Sequence, residues 1–194
     1  MTQDLIGRVQ RLLMSPKTEW DAIDSETVDT QKLILGYVAP LAAIPAIASL
    51  IGGVVFGYSV LGQTYKMTMG AALPVALYSF VMAIVMVFVV SFVINALAPT
   101  FGAQKNQQQA LKVAAYWPSA VWVSGVFSII PMLGVLTLVG LIYSLYLLFV
   151  GLPKLMKPPA EKATIYTIVS LVVAIIVALV INSASMLVMP QAGP

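Results

Sequence analysis

The segment VAAYWPSAVWVSGVFSIIPMLGVLTLVGLIYSLYLLFVGL runs from Val113 to Leu152 without a Lys, Arg, Asp or Glu. As one helix of about 40 residues it would be roughly 60 Å long, twice the ~30 Å hydrocarbon thickness of a bilayer. Ile130-Pro131-Met132-Leu133-Gly134 interrupts it midway. Proline removes a helical donor there, and glycine permits a turn. The pattern predicts two membrane-spanning helices, over 113–130 and 133–152, joined by a tight turn on the outer side. The alternative is one span followed by a re-entrant segment.

Working outward, three further apolar runs lie at 33–58, 71–98 and 163–189. Each exceeds the roughly 20 residues a crossing helix needs. The runs lack the period-two alternation of a membrane barrel. The expected fold is therefore all-α, a bundle of five transmembrane helices behind a polar segment, residues 1–32, and followed by a short tail, 190–194. The basic residues orient it. Arg8, Arg11, Lys17, Lys32, Lys105, Lys112, Lys154, Lys157 and Lys162 fall in alternate connections, and Lys66 is the tenth, on the other side. Positive residues stay inside. Residues 1–32, 99–112 and 153–162 are thus expected in the cytoplasm, with the C-terminus outside.

The chain has 194 residues, 60% apolar and 9% charged, which is far from the composition of a soluble domain. Its net charge of +3 reflects orientation in a membrane and is no sign of nucleic-acid binding. There is no Cys and no His, so thiolate chemistry and the commonest general base and metal ligand are excluded. The first apolar run starts too late for a cleavable signal peptide. No catalytic constellation emerges, and neither a cofactor nor a metal is expected.

The polar start reads as two surface helices. Leu5, Ile6, Val9, Leu12 and Leu13 share a helical face, with Arg8 and Arg11 read as lying off it. Such a helix suits the inner leaflet surface, or docking against the cytoplasmic loops. Ser15-Pro16 starts the second helix as cap and first residue. Glu19 follows where the helix dipole favours it, and Trp20 is expected at the headgroup level.

Inside the spans, small residues recur at fourth positions: Ser49, Gly53 and Gly57 in the first run, Ser170, Ala174, Ala178 and Asn182 in the last. Such faces allow close helix approach, within one subunit or between copies in a homo-oligomer. Asn95 and Asn182 need hydrogen-bond partners in hydrocarbon. Pro40 and Pro45 each remove a donor from the first helix and release the carbonyls of Gly36 and Leu41. Those carbonyls either mark a kink satisfied by neighbours or line a path, and Pro40, Pro45 and Asn95 are the candidate pathway residues. Pro118 is read as lying in the first turn of its helix, where it does little harm.

Several segments together carry a family resemblance: Ser15-Pro16-Lys17-Thr18-Glu19-Trp20-Asp21-Ala22-Ile23, Tyr37-Val38-Ala39-Pro40-Leu41, Ile44-Pro45, Ala98-Pro99-Thr100-Phe101-Gly102, Ala115-Tyr116-Trp117-Pro118, Ile129-Ile130-Pro131 and Tyr143-Ser144-Leu145-Tyr146 with Gly151-Leu152. In this order they resemble the bacterial branch of the Yip family, the Ypt-interacting membrane proteins. The resemblance implies five spans, a cytosolic N-terminus and a bacterial inner membrane. Its eukaryotic members act in vesicle traffic with small Rab-type GTPases. The short segment 1–32 lacks the Asp-Leu-Tyr-Gly-Pro motif of those members, so GTPase recruitment does not carry over, and the family supplies no catalytic residues to transfer. The resulting expectation is a non-enzymatic membrane protein that organises the bilayer or assists a partner membrane complex. Its partners would be membrane lipids and further copies of itself. The alternative is a passive pathway for an ion, small solute or lipid around the broken first helix, with an enzyme ranked third.

Overall fold

Two short helices, α1 (Leu5–Met14) and α2 (Pro16–Ser25), precede the first long one, α3 (Thr30–Phe56). The computed structural model describes residues 5–60 and 63–188, without the side chains of 58–60, 131, 182 and 184–188. Asp29 caps α3 by accepting the Lys32 N–H at 2.9 Å. The helix widens into π turns at Ile34–Val38 and Gly52–Phe56, on either side of an α stretch, Ala39–Ile51. Pro40 has no N–H to continue the ladder, and the first π turn directly precedes it. The irregularity expected from the prolines is thus a bulge in a continuous helix. Gly57, at φ 75°, ends α3. A small antiparallel hairpin follows, β1 (Tyr58–Val60) with β2 (Gln63–Tyr65), which the sequence reading did not anticipate.

Helix α4 (Met69–Phe101) tightens to a 3-10 turn at Ala98–Phe101 and stops at Gly102, whose φ of 68° is left-handed. The next segment departs from expectation. In place of one helix over 113–130 there are three pieces, α5 (Gln107–Tyr116), α6 (Ser119–Ser124) and a 3-10 stretch, Gly125–Ile129. Asn106 explains the shift. Its Oδ1 accepts the N–H groups of Gln108 and Gln109, both at 3.1 Å, and so starts the helix early. Pro118 then falls just beyond the helix end and not in its first turn, and its missing donor stops α5. A second 3-10 stretch, Pro131–Leu136, leads into α7 (Thr137–Met156), and α8 (Ala160–Val188) completes the fold. Among the described residues four helical segments are long and apolar enough to cross a membrane: Thr30–Phe56, Met69–Phe101, Met132–Met156 and Ala160–Ile181.

Their ends fix the arrangement. Gln104 N–H donates to the Met156 carbonyl at 2.8 Å, so α4 and α7 finish side by side. α2 and the start of α3 sit at the same end, beside the ends of α5 and α7, and it is here called the basic end. At the opposite end Gly52 packs directly on the Ser128 and Ile129 carbonyls, with no room for a Cβ. The pieces from 107 to 129 therefore run from one end of the bundle to the other. They lie antiparallel to α7: the Val121 N–H donates to Ser144 Oγ at 2.9 Å, and Gly140 abuts Ser124 and Ala120. Ile130–Leu136 forms the apex, longer than the tight turn expected, because 3-10 turns extend it on both sides. The most buried large side chains, including Trp20, Tyr116, Tyr166, Leu12 and Ile23, draw on α1, α2, α5 and α8. The outer faces of the long helices expose Phe92, Ile142, Ile176 and Leu179.

Candidate functional site

Charge concentrates at the basic end, where α1 and α2 dock on α5 and α7. Val9 and Leu12 of α1 are buried and Leu5 and Leu13 half-buried, while Ile6 and Met14 are exposed. The apolar stripe thus faces the protein. Arg8 does too, and is only 3% exposed. It stands three residues after Leu5 and four before Leu12, so helical spacing itself puts it at the edge of that stripe. Its Nη1 donates to Glu19 Oε1 at 2.7 Å, and its Nη2 to Glu26 Oε1 and Oε2 at 2.6 and 2.8 Å. Arg11, more exposed, donates from Nε to Glu19 Oε2 at 3.0 Å. A buried guanidinium demands such compensation. Glu19 and Glu26, at the two ends of the acidic run, supply it.

Trp20 is fully buried against protein, whatever its depth in the membrane. Its ring lies against Gly151 of α7, where any side chain would collide with it. It meets Tyr116 edge-on at a centroid distance of 6.3 Å. Ser15 does occupy the N-cap of α2 with Pro16 at its first position, though its hydroxyl makes no cap bond. At the other end of α2, Lys112 Nζ donates to the carbonyls of Ile23, Glu26 and Asp24 at 2.6, 2.9 and 3.3 Å. This places a cation on the negative end of the helix dipole. Gln109 Nε2 donates to Asp24 Oδ1 at 2.8 Å, Lys157 pairs with Asp24 at 3.1 Å, and Lys154 pairs with Asp21. Charged side chains from α1, α5 and the end of α7 thus hold α2 in place.

A cavity of about 920 Å³ opens where α1, the 27–29 connection and the start of α3 meet. Arg8, Leu33, Tyr37 and Tyr116 form its buried wall, and Asp29, Gln31, Lys32, Leu35 and Gly36 its exposed rim. Tyr37 Oη shares a 2.7 Å hydrogen bond with Ser119 Oγ and its ring lies 4.6 Å from that of Tyr116. A smaller cavity of about 150 Å³ lies beside Asp24, Asn106 and Gln109.

Neither cavity includes the candidate pathway residues Pro40, Pro45 or Asn95. Pro40 is exposed and Pro45 packs on Gly125, whose missing side chain admits it. Asn95 is half-buried with its Oδ1 unpaired. These two cavities therefore do not join the three residues. Of the first packing face, Gly53 and Gly57 are buried and Ser49 half-buried, its Oγ donating to the Ala46 carbonyl at 3.1 Å. The closest approach is made by Gly52, one residue off the four-residue register. On α8, Ser170 and Ala174 are buried and Ala178 half-buried, while the Asn182 side chain lies outside the described residues. No cluster of three His, Cys, Asp or Glu among the described residues could hold a metal.

Comparison with known proteins agrees with this picture. A family model, the Yip1 domain, matches residues 11–181. The chain is 24% identical over 176 residues to "Inner membrane protein YohC" of Escherichia coli strain K12, covering 89% of this chain and 90% of that protein. The same protein of Escherichia coli O6:H1 strain CFT073 matches equally, at 24%. No solved structure matches. The basic-end packing described above falls largely within the matched residues, and the chain belongs to the Yip1-domain family of membrane proteins.

Proposed function

We propose that this chain is a non-catalytic integral protein of a bacterial inner membrane that organises the bilayer or steadies a partner membrane complex. The observation that carries this is how its charge is used. Arg8, Glu19, Glu26, Lys112, Lys154 and Lys157 all bind structural partners that hold α1 and α2 to the bundle. Coupled transport ordinarily places ionisable groups within the spans. Here they gather at one end. The inner-membrane placement follows from similarity to the Escherichia coli protein.

The proposed topology has five crossings, with the N-terminus cytoplasmic and the C-terminus outside. The parallel course of α4 and α7 supports it, because the chain between them must return through the bundle. Stacked end to end, α5, α6 and the 3-10 stretch reach roughly 34 Å, enough for the ~30 Å hydrocarbon layer. Membrane lipids and a second copy or partner complex would meet the exposed apolar faces.

A passive pathway is the second reading. The large cavity reaches Gly36, the residue whose carbonyl an unbroken α-helix would pair with position 40. The experiment is flux through purified protein in liposomes, read with potassium, proton and carboxyfluorescein efflux. The scaffold reading expects rates equal to protein-free liposomes. Saturable flux would overturn it in favour of the pathway.

A further inference from the structure

We infer that the large cavity at the basic end is a binding site for one membrane phospholipid with an amine-bearing zwitterionic headgroup. The inference deepens the proposed membrane role and rests on it only for the source of the ligand. Five observations converge. The cavity, about 920 Å³, falls within the roughly 300–1,000 Å³ of small-molecule sites. It opens on the first turns of α3, where the chain passes from its polar start into the first long apolar helix. The rim there exposes Leu35, and nothing lies within 4 Å of where a Gly36 Cβ would stand. An acyl chain can leave along that side.

The polar half is equally specific. Arg8 and Tyr116 are 3% and 0% exposed, and each carries a buried donor that no protein atom accepts, Arg8 Nε and Tyr116 Oη. Buried donors are rarely left unmatched. Both residues line the cavity, and a ligand rich in acceptors, such as phosphate or ester oxygens, would match a wall that carries unmatched donors. At the rim, Lys32 and Asp29 stand beside each other and make no ion pair among the described residues. Lys32 can meet the phosphate. Asp29 can meet an ammonium through the lone pairs its cap bond leaves over. A headgroup carrying both charges satisfies both residues, whereas an anionic one leaves Asp29 opposed and a quaternary amine offers it no donor.

The test is native mass spectrometry of the full chain in detergent. It is titrated in turn with dioleoyl phosphatidylethanolamine, phosphatidylglycerol and phosphatidylcholine. One phosphatidylethanolamine is expected to bind at least tenfold more tightly than either other lipid. Asp29→Asn should erase that preference over phosphatidylcholine, and Lys32→Ala should weaken all three lipids. Gly36→Trp, introduced where the backbone has room, should abolish the bound lipid while the variant keeps the parent's melting temperature. Equal occupancy by all three lipids would overturn the headgroup assignment. Full occupancy in a folded Gly36→Trp variant would overturn the site. Saturable liposome flux with a normal lipid adduct would instead sink the scaffold reading and leave this one standing.

Discussion

Replacing Arg8 by Met should release α1 from the bundle. The guanidinium is 3% exposed and shared between Glu19, at 6%, and Glu26, at 29%. Removing one partner of a buried ion pair costs about 3–5 kcal/mol, mostly by stranding the other charge. The lower end applies here. Arg11 still holds Glu19, and Glu26 is exposed enough to rehydrate. At 1.36 kcal/mol per tenfold, a loss of about 3 kcal/mol raises the local opening equilibrium roughly 150-fold. The chain has no Cys, so a Val9→Cys background places a single thiol on the docked face of α1. Maleimide labelling of that thiol in detergent then reports opening directly. Adding Arg8→Met should speed labelling by about two orders of magnitude. Adding Glu19→Leu and Glu26→Leu as well should bring it back towards the parent, because an apolar replacement strands no charge. A labelling rate within threefold of the parent for Arg8→Met alone would refute the claim that this network holds the helix down.

Other expectations follow from packing and polarity. Gly52→Leu should destabilise the protein by about 1–3 kcal/mol or more, since it meets backbone carbonyls, whereas Gly36→Leu on the same helix should be near neutral in thermal unfolding. Ser170→Ala should hold or raise the melting temperature by removing a buried hydroxyl without a partner, while Ala174→Leu should lower it. If Ala174→Leu leaves the fold intact and weakens only cross-linking between copies, that face belongs to an oligomer interface. Lys112→Met removes a charged donor from three carbonyls of the 23–26 segment, of which Ile23 keeps the Glu26 N–H and Asp24 keeps Gln109 Nε2, and should cost about 1–3 kcal/mol, seen as faster proteolysis of residues 5–29. A periplasm-specific reporter fused after Pro194 should be active, and activity of a cytoplasm-specific one would remove the five-crossing topology.

The sequence by itself determined the solvent, the helical class and the family. Apolar runs longer than a bilayer is thick admit little besides crossing helices, and their lengths survive any detail of packing. The long helices α3, α4, α7 and α8 begin within a few residues of four of the apolar runs. Tertiary structure decided the rest. Whether 107–129 is one helix or three depended on where α5 begins, and the Asn106 cap moved Pro118 from a harmless position to a terminating one. Whether Arg8 and Trp20 face lipid or protein depended on partners far along the chain: Glu19 and Glu26 for the first, Tyr116 and Gly151 for the second. A local pattern reveals that a residue is amphipathic or charged. It does not reveal whether a distant residue offers it a better partner than water or a headgroup does, because that competition is settled only when the helices pack.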